Sequence, residues 1–141
     1  MTKVLKNTFT YLAILALILP IAFIMTACGG NTEFKDTWHI VSTTSGETTK
    51  DRDALTSELT DKTKTLNEQF NLVINDDNTF SLLTPESTTA QTGTWLKDTN
   101  ADVETYKLTT STNKVYTVTY KDSDNIKIQI DDTTYYIMNK K

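Results

Sequence analysis

The chain has 141 residues, a length that suits one domain behind a short leader. Its formal charge of −4 leaves no basic surface for a phosphate backbone, which argues against a nucleic-acid partner. One cysteine excludes an intrachain disulfide, and one histidine leaves a zinc site only carboxylates, which suit zinc poorly.

Residues 1–27 contain no acidic side chain; Lys3 and Lys6 lead, and the run from Tyr11 to Met25 is apolar around Pro20. This is the order of a secretory signal, with a basic start, a short apolar core and small residues at a cleavage point. The core falls short of the roughly 20 apolar residues of a membrane span and holds a helix-breaking proline, so a cleaved signal is expected. Gly29, Gly30, Asn31 and Thr32 follow Cys28 and read as flexible linker, unlike the surroundings of a buried structural thiol.

Met25-Thr26-Ala27-Cys28 resembles the lipobox of bacterial lipoprotein precursors, with Met25 where leucine is usual. The resemblance implies cleavage between Ala27 and Cys28, a diacylglycerol on the Cys28 sulfur, and a chain anchored to the outer face of a Gram-positive-type cell membrane. Two acyl chains suffice for stable anchoring. Cleavage removes Lys3 and Lys6, so the formal charge of what remains is −6.

After the linker, 28–36, threonine dominates, and with Val, Ile, Tyr, Phe and Trp it gives a strand-favouring composition. Strands are predicted over 37–43, 70–75, 79–84, 91–97, 105–110, 114–120, 125–130 and 134–139. Asn125-Ile126-Lys127-Ile128-Gln129-Ile130 alternates most cleanly, with one buried and one wet face. Asp- and Asn-rich connections separate the strands, because glycine is scarce. Connections this short make successive strands antiparallel neighbours, and eight such strands can close into a meander barrel. A sandwich uses the same alternation.

One segment has no strand alternation. Between Lys50 and Asn67 the apolar residues Ala54, Leu55, Leu59 and Leu66 have sparse helical spacing. A short helix is predicted from Asp51, as its cap, to about Asp61, burying Leu55 and Leu59 against the barrel.

An early tryptophan, Trp38, a hairpin over Asp77 to Phe80, and Gly93-Thr94-Trp95 mid-chain resemble the small lipocalin-like domains of bacterial surface lipoproteins. Asp36-Thr37-Trp38 stands where true lipocalins carry Gly-x-Trp. The resemblance implies a β-barrel over 37–141. It also raises a carrier of a small hydrophobic ligand as one function.

The residues that chemistry would need are sparse. His39 follows Trp38 in a strand and faces the opposite side; there is no phosphate loop, nucleophile elbow or nucleotide fingerprint. The expectation is a binding protein rather than an enzyme, with no catalytic residue, metal or cofactor, acting as a monomer. In a meander the connections 76–78, 98–102 and 121–125 share one end, bringing together Asp76, Asp77, Asp98, Asp102, Asp122 and Asp124. They form either a mouth that attracts a calcium ion or a basic peptide, or simply the turns of a glycine-poor chain. The peptide version suggests a protective lipoprotein that captures a cationic peptide or blocks entry at the membrane.

Aromatic residues Trp38, Phe70, Phe80, Trp95, Tyr106, Tyr116, Tyr120, Tyr135 and Tyr136 could line a cavity or fill the barrel. With Leu72, Ile74, Leu82, Leu108, Ile126, Ile128 and Ile130 also facing inward, a nearly full interior with a small or shallow cavity is expected. Strand one starts at the acidic end, so that end faces the membrane. The far end, with 85–88, 111–113 and 47–67, is where a partner is expected.

Overall fold

The computed structural model describes residues 33–140. The signal segment 1–27, with Met25, Thr26 and Ala27, and the lipidation site Cys28 lie outside the described residues. The elements run β1 (Thr37–Ser45), β2 (Thr48–Asp51), α1 (Arg52–Ser57), α2 (Leu66–Gln69), β3 (Asn71–Ile74), β4 (Thr79–Leu83), β5 (Gln91–Asp98), β6 (Thr105–Thr110), β7 (Val115–Tyr120), β8 (Asn125–Gln129) and β9 (Thr134–Asn139).

Each strand from β3 to β9 pairs with the next, all antiparallel; β1 pairs with both β3 and β9, which closes an eight-stranded meander barrel. Closure removes the exposed edges that an open sheet of these threonine-rich strands would present. Ile126 and Ile128 are fully buried, as the alternation requires, together with Leu72, Leu82, Leu108 and Val118.

The barrel carries one strand more than the sequence pattern suggests. β1 is long enough to pair with β3 through Thr37–His39 and then with β2 through Ser42–Ser45. Against β9 its register slips between Ile40 and Ser42. This bulge reverses which residues face inward: Trp38 and Ile40 do so before it, Thr43 and Ser45 after it. Where β1 leaves β3, Arg52 donates from Nη1 to the Ile40 carbonyl at 2.7 Å and from Nη2 to Asn67 Oδ1 at 2.5 Å. The guanidinium thus occupies the seam between the two ladders.

Asp51 caps α1 as expected, accepting from the Ala54 N–H at 2.9 Å. The helix stops at Ser57 rather than about Asp61. Thr56 and Ser57 hydroxyls donate back to the carbonyls of Arg52 and Ala54, a local competition that weakens helices. A second short helix, α2, opens with Glu68 accepting from the Thr65 N–H at 2.7 Å. Leu55, Leu59 and Leu66 are buried.

Asparagine replaces glycine at two left-handed turn positions, Asn78 and Asn113, both at φ 63°. Each closes a hairpin with the backbone bonds Asn75 N to Thr79 O and Thr110 N to Lys114 O, both 2.8–2.9 Å. Gly93 has a different cause: a Cβ there would lie 2.0 Å from the Thr109 carbonyl oxygen, so β5 and β6 approach too closely for any side chain.

Candidate functional site

The two ends of the barrel are built differently. At the end where β1 begins, Phe34 is fully buried and stacks on Tyr106, with ring centroids 3.8 Å apart and planes 9° from parallel. Trp95 meets Phe34 edge-on at 5.4 Å, and Trp38 donates from Nε1 to the Phe34 carbonyl at 3.0 Å. Tyr120 packs edge-on against Trp38 at 6.0 Å. Lys140 lies 4.9 Å from the Trp38 ring centre and donates to the Glu33 carbonyl. Phe34 is therefore a plug, and the packed domain begins three residues before Thr37, inside the stretch expected to be linker.

The acidic connections surround this plugged end. Asp76 forms an exposed ion pair with Lys35 at 3.4 Å. Asp77 accepts from the Thr79 N–H at 3.0 Å and hydroxyl at 2.5 Å, bonds that hold its carboxyl below the usual range. Asp98 pairs with Lys107 at 2.9 Å and accepts from the Asn100 N–H, and its acidity rises for those reasons. Asp122 accepts from the Asn125 side chain and from the N–H groups of Asp124 and Asn125, which also lowers its pKa. Asp102 and Asp124 are exposed. Among the described residues no three of His, Cys, Asp or Glu come together as a metal site. Four of the six carboxylates are thus engaged in turns or surface ion pairs.

His39 lies on the outer side of β1, between Asn71 of β3 and Asn139 of β9, with Nδ1 buried and without a hydrogen-bond partner among the described residues. Tyr135 also faces outward: it pairs with Gln129, and Lys127 sits 4.2 Å from its ring centre. Its neighbour Tyr136 takes the inward position, since adjacent strand residues point to opposite faces.

At the other end the interior opens. A cleft of about 510 Å³ is bounded by the ends of β1 and β2, by α1, and by the β4–β5 and β8–β9 connections. The barrel interior is nearly full, as expected, with Leu72, Ile74, Leu82, Leu108, Ile126 and Ile128 buried; the cleft at its mouth is larger than the small or shallow cavity expected. The physical reason is the β1 bulge: it turns Thr43 and Ser45 inward, short side chains opposite Tyr136 and Thr134, where larger apolar residues would have filled the mouth.

Leu55, Phe70, Ile130 and Tyr136 give the cleft its apolar wall, and Phe70 and Tyr136 meet edge-on at 4.9 Å. Thr43, Ser45, Thr48, Thr60, Thr84 and Thr134 add hydroxyls. Burial, then the nearby Glu86 charge, pushes the Tyr136 hydroxyl up to about 12, so it is a neutral donor at physiological pH. The volume lies within the range of about 300–1,000 Å³ usual for small-molecule sites. Of the connections singled out from the sequence, 85–88 and 47–67 border it and 111–113 does not; the inward turn of Thr43 and Ser45 follows from a bulge that alternation does not reveal.

No protein-family model, curated protein or solved structure matches the chain. Among the described residues no helix is long and apolar enough to cross a membrane.

Proposed function

We propose that the protein is a lipid-anchored, extracytoplasmic binding lipoprotein, without catalytic activity, whose binding site is the cleft. The observation that carries this reading is the contrast between a sealed end at the start of β1 and a cleft at the opposite end. Cys28 stands five residues before Glu33, at most about 18 Å of extended chain, so a lipid on its sulfur holds the sealed end near the bilayer. The cleft then faces away from the membrane and receives ligands from the medium.

Mass spectrometry of the chain purified from its membrane tests the anchor. The expected species lacks residues 1–27 and carries a diacylglycerol on Cys28, and Cys28→Ala abolishes that adduct. An unmodified Cys28 in the wild-type chain would sink the anchoring half of the reading.

A further inference from the structure

The charges around the cleft are unbalanced, and this narrows the ligand that the binding reading leaves open. Among the described residues Lys50 is the one cationic side chain in the lining, and it is paired with Glu58 at 2.7 Å. Two carboxylates remain, on separate connections: Glu86 between β4 and β5, and Asp131 between β8 and β9. Asp131 is fixed by three bonds, from the Thr133 N–H and hydroxyl and the Thr134 N–H, at 2.9–3.0 Å. Glu86 is exposed and has no basic partner within 4.0 Å among the described residues.

An apolar wall beneath two carboxylates with no basic partner among the described residues, Asp131 held through Oδ1 by its own turn and Glu86 held by no ion pair, selects for a particular ligand. We infer that the cleft takes a small organic cation with an apolar tail: the tail lies on Leu55, Phe70, Ile130 and Tyr136, and the ammonium sits at the carboxylates of Glu86 and Asp131. The electron-rich face of Tyr136 adds to the preference for a cation. An anion with the same tail meets like charge at the rim, and a neutral analogue keeps only the apolar contact. This inference rests on the cleft being the binding site.

The test uses three compounds with one tail: 4-phenylbutylamine, 4-phenylbutanol and 4-phenylbutyrate. Each is titrated into the full chain, held in lipid nanodiscs and labelled with 3-fluorotyrosine, with the Tyr136 resonance assigned through Tyr136→Phe. Following Tyr136 separates binding in the cleft from partition into lipid. The amine is expected to shift that resonance saturably, with a Kd about tenfold below that of the alcohol and the carboxylate weakest, the scale expected for one or two partly exposed charge contacts. Glu86→Lys, an exposed position outside the core, is expected to reverse the order of amine and carboxylate. Equal affinities for all three compounds, or an order unchanged by Glu86→Lys, would overturn the cation preference and leave the cleft as the site. No movement of Tyr136 with any compound would overturn both.

Discussion

The sealed and open ends of this barrel are made from the same strands, yet one is closed by an aromatic plug and the other carries a cleft. At the sealed end, Phe34 enters from outside the barrel and meets Trp38, Trp95, Tyr106 and Tyr120. At the open end the inward positions of β1 hold Thr43 and Ser45, and α1 contributes Leu55 to the wall. Filling a barrel thus depends less on strand alternation than on what arrives at each end to complete the packing. A residue that plugs an end contributes stability; one that lines the opposite mouth has given up part of that contribution for access.

The largest expected effect follows directly. Phe34→Ala removes a fully buried ring from the centre of the aromatic cluster and leaves a cavity, at a cost of about 4 kcal/mol. Tyr136→Ala, at a half-buried position already facing the cleft, costs about half as much, because water can enter the space left behind. Urea unfolding followed by tryptophan fluorescence measures both. Equal losses would break the distinction between a packed and an open end.

Much of the barrel is legible in the sequence because its causes are local. Ile126 and Ile128 alternate with polar partners, Asp51 precedes a helix, and Asp77 and Asn78 make a hairpin turn without help from elsewhere. What the sequence conceals depends on distant partners. Phe34 looks like linker beside Lys35 and Asp36, and only the ring of Tyr106, 72 residues later, makes it core. The same is true of β2, Thr48–Asp51, whose polar run has no strand signature and forms a strand because the far half of β1 needs a partner. The cleft is concealed twice over, since one bulge decides which side of β1 faces inward and the charge balance emerges only when the fold sets Glu86 and Asp131 along the same cleft. The acidic turns illustrate the reverse case: of the six carboxylates that topology brings to one end, Asp77 and Asp122 accept bonds within their own turns and Asp76 and Asp98 pair with lysines.

The ends should also differ in alkali. Burial raises the pKa of both Tyr120, at the sealed end, and Tyr136, in the cleft, above the ordinary value of 10.0, and the shift is larger for Tyr120. In the unfolded chain both ionise near pH 10, while in the folded chain Tyr136 holds its proton to about 12 and Tyr120 longer. The folded state therefore binds more protons above pH 10, and stability is intact below that pH and falls as pH rises through 10 to 12. Absorbance at 295 nm should show Tyr136 ionising before Tyr120, with Tyr136→Phe removing the earlier of these late steps. Ionisation of both at pH 10 in the folded protein would remove the claim that either hydroxyl is shielded.

The smallest effect has the opposite sign. The Tyr120 hydroxyl is buried with no hydrogen-bond partner among the described residues, although Glu104 stands close enough for its charge to raise the tyrosine pKa further. The nearest satisfied analogue is Tyr106, whose hydroxyl donates to Glu104 at 2.7 Å. Tyr120 thus carries the desolvation cost of a hydroxyl without the bond that offsets it, while its ring still packs on Trp38 and Phe34. Tyr120→Phe keeps the ring and deletes the unpaired group, so it should stabilise the barrel by about 1 kcal/mol and shift the urea midpoint upward. The matching change at the open end, Tyr136→Phe, removes a hydroxyl that faces the cleft and should leave stability unchanged while weakening any ligand that bonds to it. A destabilising Tyr120→Phe would mean that the hydroxyl has a partner in solution, and the sealed end would then be wetter than its packing implies.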